Sequence, residues 1–309
     1  MKTWIEYVFF MFSRACVRIL SLRGAGRVGA FLGGLVFRCT SVRKRVTLDN
    51  LALAFPLKSI RERRAIALGA FRNYGQAISQ FLRIGTSSDA EVLDMVRWTN
   101  PEVLQEAFAR GKGLILLSAH FGSWEFILPA TKLSLGLPVI AIVQQQRNGR
   151  INRVVDSQRR RFTFSTVPMA HAVREVLRGL KEKRIVLLLG DQSGSRESLF
   201  IPFFGHWAAT HRGAAAFALK SGSPIVMYFM LRGPDGRSEI VCEEVDYADI
   251  TAFTEEHVLE LTRRHTAVLE RYIRSYPDHW LWMHKRWKHT AYYEARLAQR
   301  GAAHQRSGS

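Results

Sequence analysis

Gly113-Leu-Ile-Leu-Leu-Ser-Ala-His120-Phe-Gly-Ser-Trp-Glu125 is a short apolar run that ends abruptly in polar residues. The run is bounded by glycine and is too short for a buried helix, so it reads as a strand buried on both faces. His120 then falls at the C-terminal end of that strand, where α/β sheets place their chemistry. A helix would turn about 500° over the five residues from His120 to Glu125 and separate their side chains. Contact between the two therefore requires a turn, and Gly122-Ser123 supplies the residues for one. A carboxylate holding one imidazole nitrogen leaves the other free to take a proton from a hydroxyl. The expectation is a His120–Glu125 dyad.

Outward from this point, apolar runs and amphipathic segments alternate. Val139–Val143, Arg184–Gly190, Pro224–Met230 and Glu239–Val245 read as further strands. Residues 59–83, Pro101–Arg110, Ala170–Lys183, His211–Ser221 and Thr254–Ser275 carry helical spacing and end signals. The pattern predicts an α/β fold with a mixed, largely parallel central sheet flanked by helices. Arg184-Ile-Val-Leu-Leu-Leu-Gly-Asp191-Gln192 is a second apolar strand that delivers polar groups at its end. Phe200-Ile-Pro-Phe-Phe-Gly205 reads as an apolar loop, either packed down or lining a groove. Asp278-His-Trp-Leu-Trp-Met-His-Lys-Arg-Trp-Lys288 reads as a basic, aromatic wall beside a phosphate or as a packed segment with snorkelling cations.

The chain has 309 residues, 47% of them hydrophobic, which excludes an intrinsically disordered protein. Its formal net charge is +19, with 45 basic against 26 acidic side chains, and favours an anionic partner or surface. Residues 1–64 hold 13 basic and 3 acidic side chains, and residues 144–184 hold 11 and 3. Three widely spaced cysteines fit neither a disulfide framework nor a metal site. No zinc or RNA-recognition signature supports a nucleic-acid-binding protein, and no His-Glu-x-x-His cluster supports a metallohydrolase. Trp4–Phe12 and Val28–Phe37 are apolar, with Arg14, Arg18, Arg23 and Arg27 between them. That interleaving predicts helices lying in a membrane interface, with a buried helix pair or a single tilted span as the alternatives. The expected organisation is a membrane-associating segment at 1–40, a catalytic domain at 41–290 and a flexible tail at 291–309.

Several blocks in register resemble the bacterial lipid A biosynthesis (late, Kdo-lipid IVA type) acyltransferases, within the lysophospholipid acyltransferase superfamily. They are Asn50-Leu51 with Phe55-Pro56, His120-x4-Glu125, Asp191-Gln192, Phe203-Phe204-Gly205 with Thr210, and Trp280-Leu-Trp-Met-His284-Lys-Arg286-Trp287. The resemblance covers residues 40–290 and implies a glycerolipid acyltransferase-like fold. It also implies an activity: acyl transfer from acyl carrier protein to a hydroxyl of a lipid A precursor, without cofactor or metal. The implied place is the cytoplasmic face of the inner membrane, among anionic lipids. Carried over by position, His120 is the general base and Glu125 its orienting partner. Arg159 is a phosphate or site residue, Asp191 its partner with Gln192 beside it, and Arg286 a headgroup contact. Gln144-Gln145, Thr163 and Asp278-His279 depart from the family's usual residues. Those departures leave another glycolipid, an aminolipid or a glycerophospholipid as alternative acceptors.

Overall fold

The computed structural model describes residues 2–233 and 235–307. Four helices come first: α1 (Lys2–Arg18), α2 (Leu22–Cys39), α3 (Lys44–Ala54) and α4 (Ile60–Ile84). Ser59 starts α4 with a reciprocal capping box to Glu62, which satisfies two donors that a helix start leaves open. The α/β part then runs α5 (Asp89–Leu93), β1 (Val96–Trp98), α6 (Pro101–Ala109), β2 (Leu114–Ser118) and α7 (Ile127–Leu135). It continues through β3 (Val139–Val143), α8 (Gly149–Arg160), β4 (Ser165–Pro168), α9 (Ala172–Lys181) and β5 (Ile185–Leu189). The rest comprises β6 (Leu199–Phe203), β7 (His206–Thr210), α10 (Gly213–Ser221), β8 (Ile225–Arg232), β9 (Ser238–Glu244), α11 (Glu255–Ser275) and α12 (Thr290–Ser307).

Seven strands form one sheet in the order β1-β9-β8-β2-β5-β3-β4. Among the described residues, only its β8–β9 pair is antiparallel, so the sheet is mixed and largely parallel, as the alternation predicts. From β2 the chain winds outward through β3 and β4, returns as β5, and then crosses to β8 on the other side of β2. Every residue of β2 is buried. Ile115 and Leu117 join the core that holds α4, α10, α11 and the C-terminal tryptophans, and Leu114 and Leu116 join the core against α6 and α7. Burial on both faces explains the unbroken apolar run. Each such side chain contributes about 1.5–3 kcal/mol.

The register of β2 on β5 positions the site. Leu114 lies opposite Ile185 and Ser118 opposite Leu189, a constant offset. Continued two residues past the strand ends, that offset sets His120 beside Asp191. The turn after His120 needs glycine. Gly122 has φ +58°, and a Cβ there would fall 1.9 Å from the Met230 carbonyl oxygen of β8.

Two sequence expectations change. Phe200–Gly205 is no loop: β6 and β7 form an antiparallel hairpin with Phe203 opposite His206. Phe204 (φ 52°) and Gly205 (φ 76°) make its two-residue turn, the left-handed geometry that suits strand twist. The expected tail from 291 is helical. The start of α12 docks on this hairpin through Tyr293 stacked on Phe200 at 4.1 Å and through Thr290 Oγ1, which donates to the Trp207 carbonyl at 2.6 Å. Gly308 and Ser309 of that tail, like Met1 of the 1–40 segment, lie outside the described residues. Among the described residues no helix is long and apolar enough to cross a membrane, in line with the lengths of the apolar stretches. Helix α2 instead packs closely on α4, where a Cβ at Gly33 would fall 2.1 Å from the Phe71 carbonyl oxygen. The outer faces of α1 and α2 leave Trp4, Phe9, Phe12, Phe31 and Leu32 exposed.

Candidate active site

His120 and Asp191 meet where β2 and β5 end. His120 Nδ1 lies 2.9 Å from Asp191 Oδ1, and the His120 backbone N–H donates to Oδ2 at 3.1 Å. The Trp280 indole N–H donates to the same Oδ2 at 3.0 Å. Asp191 is 2% exposed, so these donors replace the water it loses. A carboxylate accepts, so Nδ1 carries the proton and Nε2 is the open acceptor. Burial alone would depress the imidazolium, but the charge and hydrogen bond of Asp191 outweigh it and raise the His120 pKa above its usual 6.5. Burial likewise opposes the Asp191 carboxylate, yet His120 and Trp280 hold its pKa below the usual 3.8.

Glu125 has a different partner from the one expected. It sits in a single 3-10 turn, Trp124–Phe126, and both carboxylate oxygens accept from Arg159 on α8. Among the described residues no hydrogen bond joins Glu125 to His120, nor Arg159 to Asp191. The spacing pairs Glu125 with His120 and the family resemblance pairs Asp191 with Arg159, whereas the fold exchanges the partners. The reason is the β2/β5 register, which delivers Asp191 to the His120 ring and leaves Glu125 facing α8. Burial works against the Arg159 guanidinium, but Glu125 raises its pKa above the usual value. A small groove of about 90 Å³ opens beside Arg159 between β3, α8 and β4.

Gln192 follows Asp191, half-buried and without a side-chain hydrogen bond among the described residues. Arg286 is not a headgroup contact, because it is 1% exposed beneath the β6–β7 hairpin. Its guanidinium donates to the Ala209 carbonyl and to Thr210 Oγ1 and lies over the Phe203 ring. Burial lowers its pKa to about 10.

The segment 278–288 is a buried brace rather than an exposed wall. Trp280, Trp282 and Trp287 are all buried. Phe121 and Trp280 form an antiparallel bridge, with Leu281 N–H donating to the His120 carbonyl at 3.1 Å and Gly122 N–H to the His279 carbonyl at 2.9 Å. Asn50 on α3 donates to the Trp282 and His284 carbonyls, and Asn73 on α4 to the His279 carbonyl. His284 Nε2 accepts from Ser193 N–H at 2.9 Å, and burial lowers the His284 pKa to about 4, which keeps that nitrogen free to accept. Asn73 and the bracing bonds of Trp280 escape the sequence reading. Their one signal is the density of tryptophan and histidine in 278–288.

A carboxylate-held histidine at the end of a parallel strand, with its outer nitrogen open, marks an α/β enzyme equipped to activate a hydroxyl. The chain is an acyltransferase. It belongs to the bacterial lipid A biosynthesis acyltransferase family, whose model matches residues 1–289. It is similar to the lipid A biosynthesis lauroyltransferase of Escherichia coli K12, 26% identical over 268 residues, covering 85% of this chain and 84% of that one. The lipid A biosynthesis myristoyltransferase of the same strain is 24% identical over 262 residues, 84% of this chain and 78% of that one. A phosphatidylinositol mannoside acyltransferase of Mycolicibacterium smegmatis is 23% identical over 193 residues, 60% of each chain.

Proposed function

We infer that this protein moves a fatty acyl chain from acyl carrier protein to a hydroxyl of a lipid A precursor, at the cytoplasmic face of the inner membrane. The observation that carries the reading is His120, fixed on Asp191 through Nδ1 with Nε2 open, in a chain of this family. His120 Nε2 takes the proton of the acceptor hydroxyl as its oxygen attacks the thioester carbonyl. The C–O bond forms, the carbonyl becomes an oxyanion, and its collapse breaks the C–S bond. The leaving thiolate takes the proton back from His120. Asp191 holds the ring in the right tautomer and stabilises the imidazolium that forms. Glu125 serves by fixing Arg159, a permanent cation that suits an acceptor phosphate or the oxyanion. Arg159 and Gln192 are the substrate-side residues of this reading. No cofactor is called for, since donor and acceptor supply every atom transferred.

The membrane part rests on α1 and α2, whose exposed aromatic and aliphatic side chains alternate with arginines. Such a face enters the headgroup boundary without spanning the bilayer, and the net charge of +19 favours anionic lipids and an acidic carrier protein. The test is acyl transfer by membranes holding the protein, with acyl carrier protein as donor and either a lipid A precursor or a lysophospholipid as acceptor. Lipid analysis of a deletion strain accompanies it. Transfer to the lipid A precursor and loss of one lipid A acyl chain are expected. Transfer to the glycerolipid alone removes the acceptor reading.

A further inference from the structure

We propose that Trp280 is a positioning residue that sets the basicity and aim of His120 through Asp191; the proposal rests on the reading of His120 as the base. Asp191 Oδ1 serves the imidazole, while Oδ2 is shared by the His120 backbone N–H and the Trp280 indole N–H. The indole thus takes one lone pair of Oδ2, beside the His120 backbone N–H, and fixes the rotation of the carboxylate. It also draws negative charge away from Nδ1. Trp280 is 1% exposed, so water does not replace its N–H without a rearrangement of the core. Its own position is set by the backbone bridge to Phe121, whose two bonds are Leu281 N–H to the His120 carbonyl and Gly122 N–H to the His279 carbonyl. The brace therefore holds both ends of one hydrogen-bonded loop: the backbone of His120 and the carboxylate its ring leans on.

Neighbouring Trp282 gives the comparison. It is as buried as Trp280 and packs edge-to-face on it at 4.7 Å, but its indole N–H donates to the Pro277 carbonyl at 2.6 Å. The two indoles share an environment and differ in their acceptor. Losing the N–H of Trp280 leaves more charge on Asp191 for the imidazolium, so the His120 pKa should rise. Losing that of Trp282 should not move it. The other charged or titratable groups around the pair are Glu125 with Arg159 on the His120 side, and His284, Arg286 and Tyr228 on the Asp191 side. None of them hydrogen-bonds either indole.

The experiment compares Trp280→Phe and Trp282→Phe in the full-length protein. The His120 titration is read by the pH dependence of diethyl pyrocarbonate modification of the His120 peptide, a readout independent of substrate. Acyl transfer and thermal melting are measured alongside. Trp280→Phe should raise the His120 pKa by roughly half a unit to one unit and lower kcat roughly tenfold, the scale of lost bonds that orient a working ligand. Trp282→Phe should melt earlier but keep the wild-type titration. In an Asp191→Asn background, Trp280→Phe should have no further effect on kcat. Benzothienylalanine at position 280 keeps the bicycle and lacks the N–H; it should reproduce the shift if Trp280→Phe fails to fold. A wild-type titration in the benzothienylalanine protein, or an equal shift in Trp282→Phe, overturns the proposal. A shift at His120 in a protein that transfers no acyl chain upholds the positioning and removes the reading of the reaction instead.

Discussion

The His120–Asp191 and Glu125–Arg159 pairs flank the same short turn after β2 and handle charge in opposite ways. In the first, a carboxylate that is 2% exposed faces an imidazole whose pKa it raises above the usual 6.5. In the second, the Arg159 guanidinium is a lasting cation, its pKa raised further by Glu125. Its side chains retain some exposure, 17% for Arg159 and 14% for Glu125, and the bonding is bidentate. In the proposed reaction one pair exchanges a proton and the other presents a constant field. A strand end offers rigid backbone on both sides, and the first pair uses it. The second spans a 3-10 turn and a helix, where a stiff two-pronged ion pair supplies the order that the backbone does not.

Four substitutions would break or sharpen that contrast. The largest effect should come from the proton-exchanging pair. His120→Ala should lower kcat by roughly 10⁴ and Asp191→Asn by roughly 10³, the amide favouring the wrong tautomer. Initial rates of acyl transfer measure both, and near wild-type turnover in either variant would break the assignment. Next in size is Arg159→Met, which leaves a largely buried carboxylate without its partner. It should cost about 2 kcal/mol in urea melts, less than a fully buried pair because both side chains keep some water. Adding Glu125→Gln should recover part of that stability without recovering activity.

The smallest effect concerns pH. His120 must be neutral to accept a proton, and its pKa is raised, so the acid limb of the rate should lie above 6.5. Glu125 raises that pKa and Arg159 lowers it. Glu125→Gln should therefore move the limb to lower pH and Arg159→Met to higher pH, each by a fraction of a unit. The double variant should sit near the wild type. A pH–rate profile in which all three shift alike would show that the constant pair acts by position rather than by field.

Much of the sheet was legible. Leu114–Ser118 and Val139–Val143 coincide with β2 and β3, and the helix read at residues 59–83 is α4 shifted by a single residue at each end. These segments carry strong periodicity and clear end signals, so local sequence is sufficient. Phe200–Gly205 misled because its paired strands are short and its turn uses Phe204, an unusual residue for a left-handed conformation. Arg286 misled for a different reason. A cation in an aromatic stretch reads as exposed, whereas here it stitches the β6–β7 hairpin to the C-terminal brace. The helix over 290–307 has no strong apolar stripe and forms where Tyr293 finds Phe200.

What the sequence determined by itself was the strand that ends at His120, the strand that ends at Asp191, and the family to which the order of the blocks points. Those features are local, or are counted along the chain. What only the tertiary structure decided was which carboxylate meets the imidazole. Glu125 is five residues away and Asp191 seventy-one, yet the nearer one is turned to α8 and the farther one is brought in by the parallel register of β5 on β2. Register is set by packing two apolar strands between two cores, a property of the whole sheet. Sequence distance carries no information about it.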